Sequence, residues 1–158
     1  MRILVIPDTQ VKADVPMQHL SWAGQYAVAT KPNVIVCIGD WWDMPSLSSY
    51  DKGKKTFEGR QYTKDIQAGK DGMSLFMTPI REEQERLRRN KEKLWKPRMV
   101  FTMGNHENRL MRAINDDRKL EGLISYGDLG LQGWGFEVVD FLDVVVIEGV
   151  AFSHYFTS

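Results

Sequence analysis

Three short aliphatic runs constrain this chain more than any other feature. Ile3 to Ile6, Val34 to Ile38 and Met99 to Met103 each break off at a proline or glycine followed by a polar residue, as Pro7-Asp8, Gly39-Asp40 and Gly104-Asn105. Apolar runs without alternation suit strands buried on both faces, the habit of parallel sheets. Between the first two, Asp14 is suited to cap a helix and Pro16 to its first turn. Met17, Leu20, Gly24 and Ala27 then recur near helical spacing until Lys31-Pro32-Asn33 stops them. Strand, helix and strand at this spacing predict a βαβ unit whose two strands are parallel neighbours.

The remainder fills out an α/β reading. Met44 to Tyr62 is polar and reads as a long excursion. A helical stretch follows from about Lys64 to Trp95, with Phe76, Ile80, Leu87 and Leu94 on one face and Pro79 expected to kink or divide it. Its basic-rich end, Arg81 to Arg98, reads as a solvated face rather than a nucleic-acid surface. A further helix is expected over Asn108 to Arg118. Strands are expected at Val138-Val139, Val144 to Ile147 and Val150 to Ser153, the last two joined by a tight turn at Glu148-Gly149. Gly127 to Gly135 follows no strand, which argues against a dinucleotide loop. The expectation is one domain over residues 1–158, with 44–98 as a helical insertion and a mixed sheet flanked by helices.

Composition removes several function classes. A formal net charge of zero gives no global pull toward nucleic acid or membrane, so attraction to phosphates has to be local. No apolar run approaches the roughly 20 residues of a membrane span. The start is too quickly polar for a secretory signal. The single cysteine, Cys37, lies in an apolar run and reads as buried filler. Together these favour the cytoplasm.

The chemistry gathers at strand ends. Asp8-Thr9-Gln10, Gly39-Asp40-Trp41-Trp42-Asp43 and Gly104-Asn105-His106-Glu107 each follow an expected strand, and His154 ends another. Ligands bind at the carboxyl ends of strands in open α/β sheets. Carboxylate, amide oxygen and neutral imidazole suit divalent ions such as Mn²⁺, Fe²⁺ or Zn²⁺. Taken singly, Asp40 would suit a helix cap, Asn105 a left-handed turn and His154 a satisfied core position; it is their joint occurrence that points to a metal.

The order Asp-x-Gln, Gly-Asp-x-x-Asp, Gly-Asn-His-Glu and a lone His after a strand resembles the calcineurin-like metallophosphoesterases over nearly the whole chain, Asp8 to His154. The resemblance implies a two-metal site with Asp40 bridging, Asp8 and Gln10 on the first ion, and Asn105 and His154 on the second. It implies that His106 faces the substrate phosphate and assists the leaving group, while Asp43 and Glu107 orient the ligands. The implied activity is hydrolysis of a phosphodiester or phosphomonoester by a metal-bound hydroxide, on a substrate that includes nucleotides or nucleic acid among its candidates. A nuclease proper and a binding or scaffold form without turnover are the alternatives. Trp41, Trp42, Lys52, Lys54, Lys55 and Arg60 are candidates for substrate contact, with core packing the blander reading for the two tryptophans.

Two departures qualify the resemblance. Gln10 stands where the family commonly has His, which tilts the first site toward Mn²⁺ or Mg²⁺. The family's later Gly-His-x-His segment has no counterpart, and His19, on the first expected helix, is no substitute. The family's two-sheet sandwich is therefore expected to be incomplete at the C-terminal side. A homo-oligomer covering the exposed sheet is one expected remedy.

Overall fold

A computed structural model describes residues 1–48 and 61–157. Lys52, Lys54, Lys55 and Arg60, named above as substrate contacts, lie outside the described residues. The strands are β1 (Ile3–Ile6), β2 (Val34–Cys37), β3 (Arg98–Thr102), β4 (Glu137–Val139), β5 (Val145–Ile147) and β6 (Val150–Phe152). The helices are α1 (Gln18–Thr30), α2 (Tyr62–Arg89) and α3 (Arg109–Asp116). The protein is α/β, and no helix among the described residues is long and apolar enough to cross a membrane.

Strands β1 to β4 form one sheet in sequence order, every pairing parallel. β5 and β6 pair antiparallel in a separate hairpin. The expectation of one mixed sheet is corrected accordingly, and connection length explains why. β4 reaches β3 only after α3 and a series of 3₁₀ turns, a crossover that returns the chain in the same direction. Glu148 and Gly149, at φ 50° and 80°, instead reverse the chain at once between β5 and β6.

Alternation along β2 and β3 divides the core. Ile35, Cys37, Met99 and Phe101 face α1 and α2, packing with Leu20, Ala27, Met73, Phe76 and Ile80. Val34, Val36 and Val100 face the other way and meet Ile147 of the hairpin. Each fully buried side chain such as Phe76 or Ile35 stabilises the fold by about 1.5–3 kcal/mol.

Helix boundaries differ from the sequence expectation in three places. Asp14 sits at φ 63° in the preceding turn and caps nothing; α1 starts after Met17 with no side-chain cap. α2 runs unbroken through Pro79. Its compensation is the neighbouring helix: a Cβ on Gly24 would lie 2.6 Å from the Pro79 ring and 2.2 Å from the Phe76 carbonyl oxygen, so only glycine lets α1 approach here. Leu94 lies beyond the end of α2 and is exposed rather than on its apolar face.

Candidate metal centre

The site is assembled by short strands that stop at the same edge. Gly39 takes φ 91°, and a Cβ on it would lie 2.6 Å from the Gly104 nitrogen. A Cβ on Gly104 would lie 2.1 Å from Asp40 Oδ1. The paired glycines thus let the ends of β2 and β3 touch and deliver Asp40 and Asn105 side by side. Asp40 and Gln10 also hold φ 50° and 45°, left-handed values that cost a non-glycine residue of order 1 kcal/mol. Such strain persists only where the surroundings enforce it. Here the Gln10 amide donates to the Asp40 carbonyl at 2.9 Å, and the His106 amide donates to Asp40 Oδ1 at 2.9 Å.

Glu107 is the anchor beneath these loops. Its carboxylate is fully buried and accepts backbone N–H bonds from Asp40 and Gly104, both at 2.9 Å, and from Trp42 at 3.0 Å. Burial pushes the Glu107 pKa up, with the nearby Asp40 charge adding to it, although all three amide bonds pull the other way.

Asp8, Asp40 and His154 bring one donor atom each to within 4.8 Å of one another. His154 Nε2 stands 3.5 Å from Asp40 Oδ2, and Nδ1 stands 3.8 Å from Asp8 Oδ1. Asn105 Oδ1 is 2.8 Å from His154 Nε2. Nδ1 donates to the Ile38 carbonyl at 2.8 Å, which fixes the ring and leaves the Nε2 lone pair among the Asp40 and Asn105 oxygens. Electron pairs converging this way, with no cation from the chain among these contacts, fit a divalent ion. The structure brings Asp8, Asp40, Asn105 and His154 together. Gln10 shares the loop with Asp8, but its side chain is exposed and its described contact is through the backbone.

His106 lies beside this group, its Nε2 3.7 Å from Asp40 Oδ2. Nδ1 donates to the Asp43 carbonyl at 2.8 Å and is 3.3 Å from Asp43 Oδ1. Burial lowers the His106 pKa, but the Asp43 hydrogen bond and the Asp40 charge outweigh it and leave the ring above the ordinary histidine value. Asp43 is held below the usual carboxylate range, first by His106 and then by Lys12 at 3.4 Å.

Sequence reasoning missed Arg109. Its guanidinium donates to the Asp43 and Met44 carbonyls at 2.7 and 3.1 Å and to His106 Nε2 at 3.1 Å, tying two loops together. The signal was its place three residues after His106, one helical turn on.

Trp41 and Trp42 do not reach the site, which corrects the expectation of substrate contact in favour of core packing. They are 1% and 0% exposed, and their indole nitrogens donate to the Gly69 and Ile66 carbonyls of α2. Trp41 packs edge-on against Phe76 at 5.8 Å. Indole is large and apolar with one donor, and a helix passing over the loop satisfies both needs. His19 is exposed on α1, away from the cluster. Cys37 is buried, and burial pushes its thiol far above the ordinary value, so it is no nucleophile.

No family model, no curated protein and no solved structure matches this chain.

Proposed function

We propose that this chain is a calcineurin-like metallophosphoesterase that hydrolyses a phosphate ester with divalent metal, Mn²⁺ before Fe²⁺, Zn²⁺ or Mg²⁺. The observation that carries the reading is the convergence of Asp8, Asp40 and His154 donor atoms within 4.8 Å, from three separate strand ends. The oxygen-rich donor set, with a single imidazole, favours a hard or borderline ion.

Asp8, Asp40, Asn105 and His154 would hold the divalent metal, which would supply Lewis-acid chemistry to a phosphate ester and lower the pKa of water. The protein's own residues do the rest. Asp40 is fixed through its backbone by Glu107 and through its carboxylate by the His106 amide. His106, oriented by Asp43 and raised in pKa, holds a proton at Nε2 and gives it to the leaving oxygen. Nε2 accepts from Arg109 at 3.1 Å, so protonation of Nε2 gives up that bond, and the guanidinium contributes positive charge beside the phosphate.

Mn²⁺-dependent hydrolysis of bis-p-nitrophenyl phosphate tests this. Asp40→Asn should abolish both metal uptake and turnover. His106→Ala should keep metal and lose about 100-fold in kcat, the usual contribution of one positioned acid. A wild-type chain that binds Mn²⁺ and turns over no ester would sink the hydrolase reading and leave a metal-binding module.

A further inference from the structure

Beside the candidate metal centre lies a pocket of about 460 Å³ that the proposed hydrolysis does not by itself use. Asn105 and Arg109 form its inner end, shared with the cluster just described. From there it follows one face of α3, where Arg109, Arg112, Ala113 and Asp116 repeat at helical spacing over about 10 Å. Its volume is that of a small-molecule site.

The chemistry of the walls changes along this path. The inner end is basic, with Arg109 and Arg112. Ala113 lies between the two ends on α3, and Leu47, Leu120 and Tyr155 add apolar wall; Tyr155 is 46% exposed, and its ring is held edge-on by Phe141 and His154. The outer end is acidic, with Asp116 and Asp117. A ligand matched to this order is anionic at one end, flat and apolar in the middle, and a hydrogen-bond donor at the far end. A sugar phosphate leaves the apolar walls and the tyrosine uncovered. An acyl chain would end against two carboxylates.

We propose that this pocket seats the nucleoside of a nucleotide ester, with the phosphate at the metal centre, the base against Tyr155 and Leu120, and an exocyclic amino group directed to Asp116 and Asp117. Its role as a substrate site rests on the hydrolase reading above, but its ligand preference is measured without turnover. Carboxylates accept from amino groups and repel keto oxygens, so adenine or cytosine suits the outer end better than hypoxanthine or uracil. Ring stacking and burial supply the preference for a base over none.

Calorimetric titration of the intact chain in Mn²⁺ with AMP, IMP and ribose 5-phosphate, each as its non-hydrolysable methylene phosphonate, tests this. AMP should bind about tenfold tighter than ribose 5-phosphate, the ratio expected of one stacked base. Ala113→Trp, which fills the middle of the pocket, should bring the two to parity. Asp116→Lys, on the exposed outer end, should remove the advantage of AMP over IMP. Equal binding of AMP and ribose 5-phosphate by the wild type overturns the proposal. So does retention of both preferences by folded variants, and Asp116→Lys alone decides should Ala113→Trp not fold. Hydrolysis of bis-p-nitrophenyl phosphate without any AMP preference defeats the pocket alone. AMP preference without hydrolysis supports the pocket and defeats the hydrolase reading.

Discussion

At the scale of single residues, Glu107 governs more of the site than any ligand does. Its two oxygens hold three backbone amides that belong to the loops after β2 and β3. Gln in its place keeps one acceptor oxygen and turns an amide nitrogen toward N–H groups it cannot serve. Glu107→Gln should therefore destabilise the chain by about 1–3 kcal/mol, the cost of buried donors left unpaired, read as a lower urea midpoint. Because Asp40 is positioned through the same bonds, Mn²⁺ affinity should fall about 10–100-fold in the same variant. An unchanged midpoint would show that these amides find other partners. Arg109 divides differently, since it touches His106 and two carbonyls but none of Asp8, Asp40, Asn105 and His154. Arg109→Ala should spare Mn²⁺ binding and lower kcat, with the alkaline limb of the pH profile displaced because a positive neighbour of His106 has gone. Equal loss of metal binding and turnover would place Arg109 in the ligand scaffold instead.

At the scale of elements, α2 is positioned by what it lacks. A Cβ on Gly69 would stand 1.6 Å from the Trp42 indole nitrogen, and one on Gly72 would press on Leu20 and Val11. Gly69→Ala should displace the helix from the buried tryptophan pair and cost about 1–3 kcal/mol, measured by urea unfolding, although alanine is the better helix former. The far end of α2 offers a pH test. Glu83 pairs with Arg86 and Lys31, which pull its pKa from 4.5 down to about 2. An acid held low in the fold contributes its full stability above about pH 4.5 and loses it as pH falls toward 2. The melting difference between wild type and Glu83→Gln should be present near neutral pH and vanish over that window; a constant difference would remove the ion pairs as its cause. These contacts also show what was legible. The strand cores and the polar residues that end them could be read directly, because aliphatic runs and their glycine stops are local signals. The tight approach of Gly24 to Pro79 and of Gly69 to Trp42 could not, because each depends on a partner brought near only by the finished fold. The kink or division expected at Pro79 fails for the same reason: its penalty is local, while its compensation comes from α1. The buried placement of both tryptophans likewise depends on a helix far along the chain.

At the scale of the whole molecule, the two faces of the sheet are unequally covered. Beneath α1 and α2 the packing is dense, from Leu20 through Phe101 to Phe136. On the other face, the hairpin shields Val34, Val36 and Val100 with Ile147, while Val5 at the edge strand is 40% exposed. The hairpin's outward side is itself apolar: Val144 and Val146 are 50% and 62% exposed, and Ala151, directly opposite Val146, is exposed as well. Adjacent exposed valines make a small apolar patch. It attracts hydrophobic probes without any unfolding. The native chain should therefore enhance the fluorescence of an anilinonaphthalene sulfonate dye at temperatures well below its melting transition. Val146→Lys, which places a charge on the outward side without touching Ile147, should reduce that enhancement and leave the melting temperature within about a few degrees, as surface substitutions do. The equivalent change at Ile147, 4% exposed, should instead unfold the hairpin from the sheet and raise dye binding. Opposite responses at adjacent positions follow from strand alternation alone. If both lysines lowered the signal, the hairpin would not be packed on this face. If neither did, the dye would be reporting the pocket along α3, and AMP should compete for it.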